Sequence, residues 1–389
     1  MTTTVHDRII YLDNNATTRV DPAVIDAMLP YWSEHFGNAA SSHRAGAAAA
    51  AGVEKARADL ARAIGARDSE IVFTSGGTEA DNAALRGVFA ARPDRRHLVV
   101  SAIEHHAVLE TAEQLAHEGV CVTHAGVTRD GVLDLDQLAS ALRDDTALVA
   151  VMLANNETGV IQPLAQAAAL AKARGALVMC DAVQALGKIA IQVDQLAVDL
   201  LTVSAHKLYG PKGAGALYVR RGTPFRPFIL GGHQERDRRG GTQNTAGIVG
   251  LGAAAEIALH ELPVESTRLA RLRDRLEAEL DRTFEMARGV GRSASRLPNT
   301  SCTCFSGVSA EAVLLLLSEA GVCVSSGAAC SSGSLEPSHV LRAMGIDAHD
   351  AQGQIRFSFG RFNDDSDIDA LLEILPAALQ RVSALNAGA

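Results

Sequence analysis

The sequence lacks the features that mark membrane, secreted and disordered proteins. It has no run of about 18 uncharged apolar residues, so no membrane span is expected. Its first ten residues include His6, Asp7 and Arg8 and no long apolar stretch, which argues against a secretory signal. Long runs of like charge are also absent and charged residues make up 21% of the chain, so disorder is not expected. These absences predict a folded cytoplasmic protein.

The chain also lacks a net positive charge. Its formal net charge of -9 disfavours non-specific attraction to nucleic acid or to an anionic membrane, so neither is an expected partner. This charge does not bear on a small zwitterionic substrate. With 389 residues, 47% of them hydrophobic, the chain can bury a large core, and the usual domain size suggests roughly two to three domains.

Cysteines are too few for a disulfide framework, since six occur in a chain of this length. Cys121 and Cys180 lie in apolar, strand-like runs, which predicts that both are buried. Cys302 and Cys304 are two residues apart and would share one strand face, but no second pair of ligands completes a zinc site, so a structural role is expected. Cys330 differs because it lies in a stretch of serine, glycine and alanine.

Short apolar runs alternate with helical patterns from about residue 41 to 219. This order predicts crossover connections and a mainly parallel sheet that is covered on both faces. Beyond about Gly250 the pattern changes to a long helical region followed by shorter strands and helices, which predicts a smaller α/β unit. We expect a large domain over 14–255 and a small domain formed by 1–13 and 256–389.

Ligands of such sheets bind beyond the carboxyl ends of the strands, where two ionisable residues of this chain lie. Lys207 follows the strand-like run 200–203 and precedes a Gly/Pro turn; lysine amines form Schiff bases with carbonyl cofactors. Asp181 ends the buried run 176–180, where a carboxylate needs a cationic partner such as a pyridinium nitrogen. Taken alone, Lys207 fits a surface lysine better, and Asp181 fits a capping carboxylate equally well.

Three further strand ends carry polar groups. Gly77 and Thr78 join a strand to a helix, an arrangement that binds phosphate through free N–H groups and the helix dipole. His105 and His106 follow another strand; at most one of them can face a shared site, where it would stack on a flat cofactor and move protons. Asn156 offers an amide to a cofactor or a substrate carboxylate. Together these signals outweigh the separate structural interpretations.

Several motifs, in order, resemble those of the cysteine desulfurases, which are aspartate aminotransferase-like, fold type I pyridoxal-phosphate enzymes. They are Tyr11–Thr18, Thr74–Glu79, Glu104-His105, Asn156–Gly159, Asp181–Gln184 and Ser204–Lys207. The segment Ser325–Pro337 is similar to the active-cysteine loop of the NifS/IscS-like group. Gln243 departs from that group, which usually has Glu within Gly-Thr-Glu-Asn. The resemblance implies a large domain with a seven-stranded, mainly parallel sheet and a smaller C-terminal α/β domain.

The resemblance also implies a role for each matching residue. Lys207 would hold pyridoxal 5'-phosphate covalently, Asp181 would pair with its ring nitrogen, His105 would stack on the ring, and Gln184 would contact its phenolic oxygen. The phosphate ligands would be Gly77, Thr78, Ser204 and His206, together with Thr242 from the other subunit of a homodimer. Asn156 would contact the cofactor and, with Arg356, bind the substrate carboxylate; for Arg356 the alternative is a structural ion pair.

Cys330 would take sulfur from L-cysteine as a persulfide, leaving L-alanine, after His105 or the released amine of Lys207 removes its proton. The expected acceptor is a scaffold protein of iron–sulfur cluster assembly, with either nitrogenase or housekeeping proteins as the destination. No metal is expected in the enzyme itself, and Cys330 would contact a nascent cluster on a partner only transiently.

Three alternatives remain at this point. A selenocysteine lyase would share the chemistry. An aminotransferase would have no use for Cys330 and would need a keto-acid acceptor. A catalytically degenerate scaffold would not need Lys207, Asp181 and His105.

Overall fold

The computed structural model describes residues 8–327 and 337–387. Its strands are β1 Ile10–Tyr11, β2 Ile71–Thr74, β3 His97–Ser101, β4 Cys121–Ala125, β5 Thr146–Ala150, β6 Leu177–Asp181, β7 Leu200–Ser204, β8 Gly215–Val219, β9 Ala287–Gly289, β10 Thr300–Phe305, β11 Val322–Cys323 and β12 Gln354–Ser358. Its helices are α1 Pro22–Met28, α2 Pro30–Ser33, α3 Arg44–Ile64, α4 Gly77–Ala91, α5 His106–His117, α6 Leu135–Ala141, α7 Leu164–Ala173, α8 Val193–Leu196, α9 Thr245–Thr283, α10 Ala310–Glu319, α11 His339–Ala343, α12 Ala348–Ala351 and α13 Asp365–Ala387.

A seven-stranded sheet forms the centre of the molecule, with strand order β2-β8-β7-β6-β5-β3-β4. Neighbouring strands from β7 to β4 are parallel, whereas β8 runs antiparallel to both of its neighbours. The predicted α/β class and mainly parallel seven-stranded sheet are therefore confirmed. Because β3, β5, β6 and β7 share one direction, the residues that follow them meet at one edge of the sheet.

Both faces of this sheet are buried, as its apolar strands require, except at the edge strand β4. Alternate residues of each strand face opposite sides: Val178 and Cys180 pack in one apolar cluster, whereas Met179 packs in the other. Helices α4 and α5 cover the face of Met179, and α3, α7 and the first half of α9 cover the opposite face.

Helix α9 is the longest, with 39 residues, and it packs on α3. A Cβ atom at Gly252 would lie 2.4 Å from Cα of Ala56, so only glycine permits this close approach. By length and composition alone α9 could cross a membrane, unlike any other helix of the described chain. Its first half packs in the core through residues such as Leu251 and Ala255, and core helices of soluble proteins pass the same test.

The C-terminal part has its own small sheets and apolar cluster. Strands β12-β10-β9 form an antiparallel sheet, and β1 pairs in parallel with β11. Leu12 from the N-terminal segment packs with Leu272, Phe305, Phe357 and other residues of this part. The expected boundary near residue 255 falls inside the continuous helix α9, and the division into two domains stays a prediction.

The structure corrects one prediction about thiols. Cys180, Cys302 and Cys304 are buried as expected, but Cys121 is exposed. Cys121 begins β4, the outermost strand of the sheet, so one side of its backbone has no neighbouring strand. Its apolar sequence context could not reveal this position, because strand order depends on contacts between distant segments.

Candidate active site

A cavity of about 260 Å³ opens at the edge of the sheet where the parallel strands end. It brings together ten residues that the sequence predicted, namely Gly77, Thr78, His105, Asn156, Asp181, Gln184, Ser204, His206, Lys207 and Arg356. Thr242 is not among the lining residues and is exposed on the surface of the chain. Cys330 lies outside the described residues.

Lys207 reaches this cavity from a short 3₁₀ turn, Ala205–Lys207, that directly follows β7. Its Nζ donates hydrogen bonds to the backbone carbonyls of Asn15 (2.6 Å) and Ala16 (2.7 Å). The N-terminal motif thus supplies main-chain acceptors that hold the amine in place.

Asp181 is the last residue of β6 and is 6% exposed. Its Oδ1 accepts a hydrogen bond from the backbone N–H of Val183 at 2.9 Å. Burial raises the pKa of Asp181 to about 6, although that hydrogen bond and Lys207 oppose the increase.

A second acid, Asp81, also lines the cavity and accepts a hydrogen bond from Oγ1 of Thr202 at 2.7 Å. Burial and the nearby Asp181 raise the pKa of Asp81 well above the usual range. A cationic partner in the cavity would relieve this pair of buried acids.

His105, and not His106, lines the cavity. His105 caps helix α5: its Nδ1 accepts a hydrogen bond from the backbone N–H of Ala107 at 3.1 Å. Burial, reinforced by Lys207, lowers the pKa of His105 to about 4, so the ring is neutral near pH 7. Because Nδ1 accepts, the proton of the neutral ring is on Nε2. His106 lies outside the cavity; its Nδ1 is 3.8 Å from Oε1 of Glu110, and its ring is tilted by 57° to that of His339.

The phosphate-binding features lie at the start of helix α4. Its N-cap, Gly76, provides no side-chain acceptor, so the first N–H groups of the helix can serve an anion. Beside them, Nδ1 of His206 lies 3.1 Å from Oγ1 of Thr17. Glu79, in the first turn, is held by Arg239 at 2.9 Å, so its charge is balanced by an arginine.

Arg356 is buried and also lines the cavity. Its Nη1 donates to the backbone carbonyl of Asn156 (2.9 Å), and its Nη2 pairs with Asp13 (2.8 Å). Among the residues that the structure describes, its Nε has no hydrogen-bond partner. The structural ion pair considered for Arg356 is therefore present, and the guanidinium still lines the cavity.

Several residues of the site were not found by sequence reasoning. Asn15 and Ala16 contribute backbone carbonyls, which leave no mark in a sequence beyond the motif that contains them. Asp81 and Lys188 look like ordinary helix and turn residues; the structure places Asp81 in the cavity and buries Lys188 against Gln184. Asp13, within the N-terminal motif, pairs with Arg356, a contact that no pattern in the sequence predicts.

These residues fit pyridoxal phosphate. The cavity holds a reactive amine (Lys207), a buried acid that needs a cation (Asp181), free helix N–H groups for a phosphate and a neutral imidazole for ring stacking. A Cβ atom at Gly77 would lie 2.9 Å from Cγ2 of Val183, so glycine keeps the phosphate end of the cavity open.

Comparison with known proteins agrees with this chemistry. The Aminotransferase class-V family model matches residues 10–371. A cysteine desulfurase of Nostoc sp. is 48% identical over 378 residues, which are 97% of this chain and 94% of that protein. A cysteine desulfurase of Gluconacetobacter diazotrophicus is 49% identical over 379 residues, with 97% and 95% coverage. A solved NifS-like protein superposes with a TM-score of 0.90 at 39% identity, covering 96% of this chain and 100% of its own. A structure described as SspA in complex with cysteine gives a TM-score of 0.80 at 33% identity, with 91% and 99% coverage.

Proposed function

The chain belongs to the class-V aminotransferase family, among its cysteine desulfurases, and on this premise we propose that Cys330 takes the sulfur of L-cysteine as a persulfide. The enzyme depends on pyridoxal phosphate and releases the carbon skeleton of its substrate as L-alanine. The observation that supports this proposal most directly is the convergence of Lys207, Asp181, His105 and Arg356 on one cavity. The relatives favour this function over an aminotransferase, a selenocysteine lyase or an inactive scaffold.

When bound, pyridoxal phosphate supplies a carbonyl for amine attachment and an electron sink for negative charge at the substrate Cα. Lys207 would hold it through the amine. The carboxylate of Asp181 would keep the ring nitrogen protonated, and an ionised Asp181 paired in this way no longer has the raised pKa of a buried acid alone. The helix start at Gly77 and Thr78, with Ser204 and His206, would bind the phosphate.

The substrate carboxylate would bind to Arg356, whose planar guanidinium suits a two-point contact. His105 holds its proton at Nε2 and can donate it to a polar group in the cavity, but it has no free lone pair to accept one while Nδ1 is bonded to Ala107. We therefore assign removal of protons, including that of the Cys330 thiol, to the amine of Lys207. The Cys330 thiolate attacks the substrate sulfur and forms a sulfur–sulfur bond. The carbon–sulfur bond breaks with its electron pair going to the substrate Cβ, which takes up a proton and becomes the methyl group of alanine.

The test is production of sulfide and alanine from L-cysteine, with and without a reductant, by the wild type and Cys330→Ala. With reductant present, the wild type should form both products repeatedly. Cys330→Ala should lose both activities while retaining the visible absorbance of bound cofactor. Cys121→Ala, which removes the exposed thiol on β4, is the matched control and should behave as the wild type. Equal desulfuration by Cys330→Ala and the wild type would refute the role of Cys330.

We propose further that the enzyme is a homodimer in which Thr242 reaches the phosphate of the other subunit. Four large apolar side chains along α1, α2 and the following turn are between 43% and 72% exposed: Ile25, Leu29, Trp32 and Phe36. Exposed apolar patches of this kind mark protein–protein contacts. Trp32 also shares a surface groove with Asn244, two residues beyond Thr242, which puts the apolar patch next to the Thr242 loop.

Sedimentation velocity tests the dimer, and Trp32 adds a second readout because it is the only tryptophan. Leu29→Glu should produce monomers, shift the fluorescence emission to longer wavelength and weaken cofactor binding. Leu315→Glu, at a position on α10 that is more exposed than Leu29, should leave the wild-type mass and emission. A monomeric wild type that binds cofactor fully would refute this arrangement.

For the sulfur acceptor we propose a scaffold protein of iron–sulfur cluster assembly, on the similarity of Ser325–Pro337 to the NifS/IscS-like loop. Whether the clusters serve nitrogenase or other proteins is open to the same test. Radiolabelled sulfur on Cys330 should move to purified scaffold proteins of each kind, and transfer to neither would contradict the proposal.

A further inference from the structure

A second lysine lies behind the cavity and has no part in the chemistry above. Lys188 follows Gly187 in the segment after β6 and is 7% exposed. Its Nζ donates to Gln184 twice, to the backbone carbonyl and to Oε1, both at 2.9 Å. Burying an amine costs free energy unless the amine is hydrogen-bonded and its charge is paired.

The hydrogen bonds around Gln184 fix the direction of its amide. Nζ of Lys188 donates to Oε1 of Gln184, so the amide oxygen faces Lys188. On the other side, Nε2 donates to the backbone carbonyl of Asn15 at 2.9 Å, and a carbonyl can only accept. The second hydrogen of Nε2 is therefore the donor that Gln184 can offer to a ligand in the cavity.

The backbone carbonyl of Asn15 links the Lys188–Gln184 pair to Lys207. Asn15 accepts from Gln184 and also from Nζ of Lys207 at 2.6 Å. Lys188 and Lys207 are thereby the two ends of one polar chain, and they also line a small cavity of about 20 Å³, which is enough for one water molecule.

The charge of Lys188 is not neutralised by the acids around it. Glu261 and Glu265 line the small cavity, but Arg361 pairs with Glu261 at 2.6 Å and Arg268 pairs with Glu265 at 2.7 Å. Within the described part of the chain, no carboxylate lies within ion-pair distance of Lys188. Burial, with Lys207 and Arg356 as nearby positive charges, lowers the pKa of Lys188 to about 7.

We propose that Lys188 is a positioning residue that turns the Gln184 amide toward the cofactor and, with it, favours negative charge on the cofactor's ring oxygen. This inference rests on the proposed role of Gln184 as the contact of that oxygen. An oriented N–H donor and a cation behind it stabilise the ring oxygen as an anion, which lowers the proton affinity of the chromophore formed with Lys207.

The test is a pH titration of the visible absorbance of the holoenzyme, a measurement independent of turnover. Lys188→Met removes the donor and the charge, and it should raise the midpoint of the titration by about 0.5 to 1 pH unit, the size expected from loss of one hydrogen bond. Lys188→Gln, which restores a donor without charge, should raise it by less. Lys172→Met, a partly exposed lysine on α7, should leave the midpoint unchanged.

A double-mutant cycle shows whether Lys188 acts through Gln184. If it does, Lys188→Met should add little to the shift caused by Gln184→Ala, so the two shifts should not sum. A folded Lys188→Met enzyme with the wild-type midpoint would overturn the proposal, as would fully additive shifts. If Lys188→Met does not fold, Lys188→Gln and Gln184→Ala with their double variant give the same decision. A wild type without a visible band would instead contradict the cofactor assignment itself.

Discussion

Two groups of charges are buried in this protein to a similar extent, yet their partners differ. Arg57 of α3 and Glu235 form a two-point ion pair, with Nη1 2.8 Å and Nη2 3.1 Å from the carboxylate oxygens. Burial by itself would raise the pKa of Glu235, but hydrogen bonds and charge from Arg57 more than reverse this and lower it. This region is complete within the chain.

The cavity around Lys207 is incomplete within the chain. There burial raises the pKa of Asp181 to about 6 and lowers that of Lys188 to about 7, so the fold opposes the charged form of both groups. Two acids that are buried to a similar extent therefore have pKa values shifted in opposite directions: Glu235, whose cationic partner is in the chain, has a lowered pKa, and Asp181, whose partner is not, has a raised one. A charge that is paired inside the chain supports the fold, whereas a charge that awaits a ligand supports binding.

The largest difference between the two regions should appear in activity. Lys207→Ala removes the amine to which the cofactor attaches, so we expect loss of visible absorbance and of desulfurase activity by at least the ~10²- to 10⁴-fold that a positioned acid–base group contributes. Stability without cofactor should change little. Lys212→Ala, an exposed lysine of the following turn, is the control and should remain yellow and active. An active Lys207→Ala enzyme would remove the basis of the proposed function.

Stability should show the reverse difference. Glu235→Gln leaves Arg57 buried without its main counter-charge, a change that typically costs about 3 to 5 kcal/mol. We expect the free energy of unfolding in urea to fall by the lower value, about 3 kcal/mol, because Glu54 still contacts Nε of Arg57. Asp365→Asn, which breaks exposed pairs with Arg271 and Arg275, should cost less than about 1 kcal/mol. The double variant Arg57→Met/Glu235→Gln should recover much of the loss, because no charge is left buried and the amide oxygen at position 235 can still accept from the backbone N–H of Phe73. If Glu235→Gln were no worse than Asp365→Asn, the buried pair would not support the fold as argued.

Replacing Asp181 should stabilise the cofactor-free protein, whereas replacing Glu235 should destabilise it. Its pKa is near 3.8 in the unfolded chain and about 6 in the fold, so between these values the folded state binds the proton more tightly. Stability should then fall as pH rises from about 4 to 6. Asp181→Asn should reduce this fall and make the cofactor-free protein about 1 to 3 kcal/mol more stable at pH 8.

Asp81, whose pKa is also raised, adds a fall in the same direction, so part of the slope should persist in Asp181→Asn. Urea unfolding of cofactor-free protein from pH 4.5 to 8 measures the effect. Asp144→Asn, at a position that is almost fully exposed, serves as the control and should keep the wild-type slope. A lower stability of Asp181→Asn at pH 8 would show that the carboxylate is already satisfied inside the chain.

The sequence predicts the cavity around Lys207 better than it predicts the Arg57–Glu235 pair. Asp181 and Lys207 follow apolar strand-like runs, and in parallel sheets such strand ends meet, so their proximity was predictable. The carbonyls of Asn15 and Ala16 were not, because main-chain acceptors have no residue type. Arg57 lies in an ordinary amphipathic helix, and its pairing with Glu235, 178 residues away, depends on tertiary contacts. The exposed position of Cys121 depends in the same way on strand order.

The smallest effect is expected at Gln243, where the chain departs from the NifS-like pattern. Its Nε2 donates a hydrogen bond to Oε1 of Glu235, the acid that Arg57 already binds. Gln243→Glu would place a second carboxylate against Glu235 with one arginine between them, and like charges in contact are destabilising. We expect a loss of about 1 kcal/mol at pH 8, the size of one hydrogen bond, and a smaller loss at pH 5, where the introduced carboxyl can take a proton.

Gln243→Leu separates the loss of the hydrogen bond from the repulsion between carboxylates, because it removes the hydrogen bond without adding charge. Its loss of stability should therefore not depend on pH. Urea unfolding of both variants at pH 5 and pH 8 is the measurement. An equally stable Gln243→Glu enzyme at pH 8 would show that Arg57, which already contacts Glu235 and Glu54, can balance a third carboxylate. The Arg57–Glu235 pair would then not be complete within the chain, contrary to the comparison with the cavity.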